Sequence, residues 1–361
     1  MLSGELKCLL ALERRGALSE DELFLLQRLE AGDRGEAELL AMVESVFGEE
    51  VWVRRNVWLD RQVECDLLVV TRARVLNLNA KFYQGDFRYV DGKAFFNQSE
   101  LRSNPVLAFQ RSMDRLRELA RRCGLEDVPV DGRLVFLNPD YSVSVDGSNV
   151  WPCVGRADVL KMLQDLRAEA GGSRLGTGYN SGSRRTGTPS GLDINWVASR
   201  LMTLESESKY WAAPLNLSHL QKMYRGLLCP SCGNRHLSVS QRIVVCACGH
   251  YRISKEQAVW ETVQEFAMLL HDQPVLRTSE LEWYLGGEVR RGFILNILKE
   301  NFKITRLGRF TVFQNPFYRE PRENCVQRLI DREDYIKRNS TIQNMNRITG
   351  VNKYNKQTKR K

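Results

Sequence analysis

Four cysteines within twenty residues constrain this chain more than any other feature. Cys229-Pro230-Ser231-Cys232 and Cys246-Ala247-Cys248 set two thiol pairs on either side of a thirteen-residue spacer. Four soft thiolates suit a tetrahedral ion such as Zn2+, and a segment that closes around such an ion can fold with little core of its own. Gly233 and Gly249 follow the pairs, where a tight turn must form, and Leu237-Ser238-Val239 and Arg242-Ile243-Val244-Val245 alternate between them as the strands of a hairpin do. The expectation is a zinc ribbon over residues 226–253, with a structural Zn2+ on Cys229, Cys232, Cys246 and Cys248. His236 and His250 are alternative ligands. The chain has nine cysteines, and the other five, Cys8, Cys65, Cys123, Cys153 and Cys325, are scattered singly, mostly among apolar neighbours. An odd count with one cluster argues for a metal site plus buried thiols rather than a disulfide framework.

A second feature divides the chain. Residues 171–192 are Gly, Ser, Thr and Arg with almost no apolar content, the composition of a linker. Ahead of it, residues 1–30 read as a helical lead, and Leu39, Leu40, Val43 and Val46 carry a helical period from Arg34 onward. β-rich runs follow at Val51–Val53, Val57–Leu59, Val63–Val70 and Val75–Phe82. Phe87–Tyr89 and Ala94–Phe96 flank Asp91-Gly92 as a hairpin would. Asn104-Pro105 opens a helix through Arg122, Arg133–Leu137 gives a strand, and Asp158–Ala170 a helix. Helices alternating with strands make residues 31–170 an α/β sandwich. A connecting helical segment, 193–225, leads to the cysteines.

With 361 residues the chain is long enough for two or more units. No apolar run approaches the ~18 residues of a membrane helix, and the charged N-terminal residues do not form a signal core. A cytoplasmic location without membrane contact is the expectation. The net charge of +9 is concentrated: from Tyr335 to Lys361 there are eight lysines and arginines and no acid. Residues 321–361 therefore read as a basic, solvated tail, suited to nucleic-acid phosphates or to solubility alone.

The chemistry-bearing stretch is Glu64-Cys65-Asp66 with Asn77-Leu78-Asn79-Ala80-Lys81. Alternation puts Glu64 and Asp66 on one face of their strand and Asn79 and Lys81 on one face of the next. A two-residue loop at Arg72-Ala73 makes paired positions sum to a constant, with Asp66 opposite Asn79 and Glu64 opposite Lys81. Carboxylates so placed can hold Mg2+ or Mn2+, and a lysine can assist an attacking water. A cross-strand acid–lysine pair is equally an ordinary ion pair.

The wider succession resembles the NERD domain, the nuclease-related domain of bacterial proteins, assigned to the PD-(D/E)XK nuclease superfold. Asp33-Arg34-Gly35-Glu36 opens the matching stretch; the Asp66 strand, Lys81, Gly85, Asn104-Pro105 with its basic helix, and Val135-Phe136-Leu137-Asn138 follow in order. The resemblance covers roughly residues 31–145. It implies a helix glutamate at Glu36, a metal-binding aspartate at Asp66 and the lysine of an E-x-K element at Lys81. Asn79 stands where that element has its glutamate, with Glu64 as a migrated carboxylate. Ala108 holds the position of a glutamine in that family, and Gln110, two residues on, either replaces it or is incidental.

The segment 254–320 reads as helix, glycine-containing turn, helix and hairpin, which resembles a winged helix-turn-helix. Arg290 and Arg291 fall early on its second helix of the motif, and Arg306 and Arg309 flank the hairpin turn Leu307-Gly308. The fold expectation is an α/β, PD-(D/E)XK-like sandwich followed by a zinc ribbon and a helical, winged-helix-like domain. The partner expected is DNA, with no small-molecule cofactor. Two functions stand open: metal-dependent hydrolysis of DNA, and a degenerate domain that binds nucleic acid or another factor without cutting. The oligomeric state has no signature in the chain.

Overall fold

The structure, a computed structural model, describes residues 3–82, 85–138, 143–145, 152–170, 192–208, 210–307, 310–320 and 331–339. The chain divides into two compact units, one of Met1–Gly4 with Gln27–Tyr210 and the other of Glu5–Leu26 with Trp211–Lys361.

The elements up to the division at Tyr210 are α1 (Gly4–Arg14), α2 (Glu20–Phe47), β1 (Trp52–Leu59), β2 (Val63–Val70), β3 (Val75–Lys81), β4 (Phe87–Val90), β5 (Lys93–Phe96), β6 (Ser99–Glu100), α3 (Pro105–Arg122), β7 (Val130–Phe136), β8 (Val143–Val145), β9 (Cys153–Gly155), α4 (Arg156–Ala170), α5 (Ile194–Met202) and β10 (Glu205–Ser206). Six strands form a mixed sheet in the order β10-β1-β2-β3-β7-β9, and four form a smaller sheet, β6-β5-β4-β8. On one face of the large sheet Leu67, Val69, Leu76, Leu78 and Val135 pack with Leu39, Val43 and Phe47 of α2 and with Val159 and Leu163 of α4. On the other face Leu68, Val70, Val75 and Leu134 pack with Val106, Phe109, Met113 and Leu116 of α3. A sheet covered on both faces explains why β2 reads as a nearly continuous apolar run. The expected α/β sandwich is the observed architecture.

Local signals set several of these elements. Asn104 caps α3, its Oδ1 accepting from Val106 N at 3.0 Å and Leu107 N at 3.2 Å, with Pro105 in the first turn. Thr71 closes the β2–β3 turn: its N–H donates to Arg74 O at 2.9 Å and its Oγ1 accepts from Ala73 N and Arg74 N. The loop is therefore Arg72-Ala73, and Val70 pairs with Val75 through to Leu67 with Leu78, in the register expected from that loop length.

Three expectations change. The lead does not end at residue 30, because α2 runs unbroken from Glu20 to Phe47 through Gly32 and Gly35. Residues 5–26 then join the C-terminal unit. The stretch after the linker belongs to the first unit as far as Tyr210: Val197, Ala198 and Leu201 of α5 enter the α3-side core, and β10 pairs with the β1 edge at Trp58–Ser206. Residues 171–191 of the expected linker lie outside the described residues, while Leu192 N donates to Arg72 O at 2.8 Å.

The third change concerns the strands themselves. Across β1 and β2 the paired positions keep one register, but the pair Asn56/Asp66 drops out of the ladder. On one side of it Leu68 and Val70 face α3, and Leu67 faces α2; on the other side Val63 and Cys65 join the α3-side core. The pleat thus inverts at Asn56/Asp66. Asn56 absorbs the inversion with φ 53°, a left-handed backbone that asparagine tolerates better than most residues. Simple alternation from Glu64 through Asp66 to Leu68 does not hold.

In the second unit α6 (Leu217–Lys222) precedes a three-stranded sheet, β11 (Ser238–Val239), β12 (Ile243–Val245) and β13 (Arg252–Ser254), in the order β11-β12-β13. Then come α7 (Lys255–Leu269), β14 (Val275–Leu276), α8 (Thr278–Tyr284), α9 (Arg291–Asn301), β15 (Ile304–Leu307) and β16 (Phe310–Gln314), with sheet order β14-β16-β15. Ser254 caps α7 through Gln257 N at 3.1 Å. α9 begins at Arg291 with Arg290 as its cap residue, so both arginines stand at the very start of the helix. Cys8, Ala11 and Leu12 of α1 enter this core beside Phe266, Tyr284 and Ile294. Arg15, 1% exposed, ties them in: Nε meets Glu265 Oε1 at 2.7 Å, Nη1 donates to Tyr224 O at 2.9 Å, and the guanidinium lies 4.0 Å from the Tyr284 ring centroid.

Candidate functional site

The candidate acidic site forms where the pleat inverts. Asp66, half-buried in β2, does not pair with Asn79; its Oδ2 accepts from Ala80 N at 2.8 Å, at the end of β3 where that strand leaves β2 and continues beside β7. Glu36 reaches the site from α2. Gly35 lets the helix approach, since a Cβ there would lie 3.1 Å from Cδ2 of Phe82. Arg55 of β1 holds both helix acids, with Nη2 at 2.8 Å from Asp33 Oδ1 and 3.1 Å from Glu36 Oε2, and the side chain of Asn56 hydrogen-bonds Glu36.

The electrostatics record two carboxyl groups held close together. Burial, then the Asp66 charge, push the Glu36 carboxyl up to about 7, against the pull of Arg55 and Asn56. Burial also raises Asp66, while the Lys81 ammonium, the Ala80 N–H and Arg55 lower it. Lys81 Nζ donates to Asn79 Oδ1 at 2.6 Å, so the amide occupies the ammonium that a glutamate there would have neutralised.

Asn79, Lys81 and Glu64 line one cavity of about 500 Å3, closed on its far side by Pro105, Ala108, Arg111, Ser112 and Arg115 of α3 and by Trp58 and Tyr210. The structure brings the expected residues together in two groups, not as the pairs Asp66/Asn79 and Glu64/Lys81. Glu64 meets Asn79 and Lys81 at this cavity, and Asp66 meets Glu36 and Lys81 through charge. The carboxylates do not gather as tightly as metal ligands: among the described residues, the cysteine cluster is the group of three or more acidic, His or Cys ligand atoms that does so. Gln110 is not at the site. It lines a separate cleft with Asp114, Arg117 and Asp131, whereas Ala108 faces the cavity. A shift of two residues turns a side chain about 200° around a helix, so Gln110 cannot replace a glutamine at position 108. Arg55, Asn56, Arg111, Arg115 and Tyr210 were missed from sequence. Only the two arginines had a signal, an i,i+4 pair on the polar stripe of α3.

A hard cation such as Mg2+ keeps several waters and needs one or two protein carboxylates. Asp66, which keeps Oδ1, with Glu36 or Glu64 and the amide of Asn79, meets that modest requirement, and the mutual charge of Glu36 and Asp66 is what a cation would relieve. The donor set fits the ion class, at one formal charge fewer than with a glutamate at position 79.

The second candidate site is the cysteine cluster. The sulfur atoms of Cys229, Cys232, Cys246 and Cys248 all lie within 4.8 Å of one another, with Cys229–Cys248 at 3.7 Å and Cys232–Cys246 at 3.5 Å. Tetrahedral thiolates at Zn–S distance would stand ~3.8 Å apart, so these four residues can hold a metal ion such as zinc. The turn glycines Gly233 and Gly249 have φ of 67° and 78°. His236 and His250 are exposed and stand outside the cluster. Cys8, Cys65, Cys123 and Cys153 are buried single thiols, and burial pushes Cys8 and Cys153 up to about 12. Cys325 lies outside the described residues.

Of the four basic residues expected to face nucleic acid, Arg290 and Arg291 are exposed at the start of α9, Arg291 with Nη1 at 3.2 Å from Glu282, and Arg306 is exposed on β15. Arg309 lies outside the described residues. Among the described residues no helix is long and apolar enough to cross a membrane.

Searches of curated proteins and of solved structures returned no match to the chain. A family comparison did: residues 31–137, which carry Glu36, Asp66, Asn79, Lys81 and the whole of α3, match the nuclease-related domain, NERD.

Proposed function

We propose that the first unit hydrolyses phosphodiester bonds of DNA with Mg2+ or Mn2+. The observation that carries this is the convergence of Glu36 from α2 and Asp66 from β2 beside Lys81, where burial and then the Asp66 charge raise the Glu36 carboxyl, and burial raises Asp66 against the pull of Lys81, the Ala80 N–H and Arg55. Asp66 would hold the ion, with Asn79 Oδ1 and Glu36 or Glu64 as further oxygen ligands. A bound divalent ion polarises a phosphoryl oxygen and lowers the pKa of its water. Lys81 neutralises charge on the scissile phosphate, and Arg55 keeps Glu36 oriented. Arg111 and Arg115 supply cations across the cavity from Lys81.

The rest of the chain serves delivery in this reading. The cysteines hold a structural Zn2+ in a zinc ribbon, whose short three-stranded sheet and positive-φ glycines support it. The order α7-β14-α8-α9-β15-β16 supports a winged-helix reading, in which α9 would be the recognition helix and Arg290, Arg291 and Arg306 would turn toward DNA. The expected tail 321–361 is not solvated throughout: residues 331–339 are helical, Arg332 pairs with Asp272 at 2.9 Å and Ile336 enters the core of the second unit, so only the basic residues beyond Asn339, which lie outside the described residues, would add phosphate contacts. The site is read as working inside the cell, where single buried thiols such as Cys8, Cys65, Cys123 and Cys153 stay reduced.

A specific observation favours a second reading. Asn79 and Lys81 satisfy each other, and Arg55 already pairs with Glu36, so the site is closer to neutral without an ion than a two-carboxylate centre would be. In that reading the domain binds DNA without cutting it. Incubation of the full chain with linear, nicked and single-stranded DNA decides. Cleavage that needs Mg2+ or Mn2+ and is abolished by Asp66→Ala and by Lys81→Ala upholds hydrolysis. Salt-sensitive binding with no product under any metal upholds the second reading and removes the first.

A further inference from the structure

The arginines of α3 divide into two sets. Arg117, Arg121 and Arg122 are ion-paired, to Asp114, Glu118 and Asp60 at 2.9, 2.8 and 2.8 Å. Arg111 and Arg115 are exposed and have no carboxylate partner among the described residues, and they are the two that line the cavity. Their i,i+4 spacing, with Ala108 one turn before, puts both on the helix face turned to Asn79 and Lys81. Three cations thus border a cavity whose lining includes the one acid Glu64. A helix face that leaves its cations unpaired only where it meets a cavity suits anionic phosphates.

The same cavity carries a second observation. Tyr210 is 50% exposed, and its ring is braced by Trp58, 5% exposed, with centroids 5.4 Å apart at an interplanar angle of 72°. Both residues line the cavity. A braced aromatic ring with half its surface open is a stacking platform. In a duplex both faces of every internal base are already covered by neighbouring bases. A side chain on a cavity wall can therefore stack only on a base that is unpaired. A cavity of about 500 Å3 lies within the ~300–1,000 Å3 range of sites that enclose small-molecule-sized groups.

We propose that this cavity seats an unpaired nucleotide of a single-stranded nucleic acid, its base on Tyr210 and its neighbouring phosphates on Arg111 and Arg115. The assignment rests on the reading of this unit as one that acts on nucleic acid, and it names the form of that substrate: a single strand, a frayed end or a flipped base.

The test is fluorescence anisotropy on the full chain, without added Mg2+ or Mn2+, using labelled oligo-dT, labelled oligo-rU and a mixed-sequence duplex of equal length. The tail contributes alike to all variants, so differences report on the cavity. The expected result is tighter binding of the single strands than of the duplex. Tyr210→Ala should weaken single-strand binding about tenfold, the lower half of the range for one stacked base, and leave duplex binding unchanged. Tyr210→Phe, which keeps the ring, should bind like the wild type. Arg111→Gln combined with Arg115→Gln should reduce the slope of log K against log salt by about 1.4, for two lost phosphate contacts on a single strand. Whichever of oligo-dT and oligo-rU binds more tightly, a Tyr210-dependent difference from duplex upholds the seat, and an added oligo-dU arm, which shares its base with oligo-rU, names the sugar. Equal affinity for duplex and single strand, or a Tyr210→Ala chain whose single-strand affinity is unchanged or whose duplex affinity falls as much, overturns it. Cleavage is scored separately. Tyr210-dependent single-strand binding without any cleavage keeps the seat and removes hydrolysis; duplex cleavage untouched by Tyr210→Ala does the reverse.

Discussion

At Glu36 the folded chain holds a proton that the unfolded chain has released. Its carboxyl is raised from an ordinary 4.5 to about 7, first by burial and then by Asp66. The sign follows directly. Between those pH values the native state binds more protons, so stability is greatest below the lower value and falls as pH rises through about 7. The wild-type Tm in metal-free buffer should therefore decline between about pH 5 and about pH 8, and Glu36→Gln should flatten that decline, with Asp33 remaining to pair Arg55. A cation at Asp66 would oppose the same repulsion. Added Mg2+ should raise Tm more at about pH 8 than at about pH 5, and Asp66→Ala should remove the difference, as differential scanning fluorimetry would show. A Mg2+ effect equal at both pH values, or retained in Asp66→Ala, would place the ion elsewhere. Asn79→Glu restores the acid of the E-x-K pattern, and should increase the Mg2+-induced rise in Tm by adding a charged ligand next to Lys81.

Two backbone positions decide whether the elements meet correctly. Gly132 of β7 sits under α3: a Cβ there would lie 2.6 Å from Asn77 O, 2.7 Å from Met113 Sδ and 2.9 Å from Cζ of Phe109. The Asn77 carbonyl belongs to the sheet and cannot yield, so α3 would have to lift. Gly132→Ala should cost about 1–3 kcal/mol in chemical denaturation, and should weaken single-strand binding because Arg111 and Arg115 ride on the same helix. Asn56 is the second position. Its φ of 53° turns the pleat over and leaves Asp66 facing Ala80 N instead of continuing the ladder. Asn56→Val should destabilise the unit by about 1–3 kcal/mol, since a β-branched residue resists that conformation, while Asn56→Gly should keep the backbone and lose only the Glu36 contact. Equal losses from both would show that the side-chain bond, and not the backbone, sets the inversion.

At the scale of the molecule, two units draw on different sources of stability. The first has a sheet buried on both faces; the second combines an apolar core around Phe266 and Tyr284 with a cysteine module of very short strands. Strands of two or three residues do not hold by pairing alone, so a metal ion on the four cysteines would supply much of that module's free energy. Chelation, or Cys229→Ser, should release hydrogen-exchange protection in β11–β13 while β2, β3 and β7 keep theirs. Loss of protection in the first unit as well would mean the two units fold as one. Residues 5–26 belong to the second unit through Arg15, Glu265 and Tyr284, so trimming the N-terminus up to residue 26 should destabilise the C-terminal unit.

Local geometry made much of this legible in advance. The two-residue loop at Arg72-Ala73 dictates the β2–β3 register, because a hairpin's pairing follows from its turn. The cysteine spacing dictates a cluster, because one ion needs four sulfur atoms and the glycines let the chain bend to it. Asn104-Pro105 dictates where α3 starts. In each case the residues that decide are within a few positions of one another. The candidate site itself was only half legible. Glu36, Asp66 and Lys81 were found by their order along the chain, and simple alternation missed the pleat inversion at Asp66. The pleat inversion, the Arg55 clamp on Asp33 and Glu36, the turning of Gln110 away from the cavity, the meeting of the unpaired arginines and Tyr210 at one cavity and the capture of residues 5–26 by the second unit were decided by tertiary structure alone. Each depends on contact between segments far apart in the chain, and no local period or spacing carries that information.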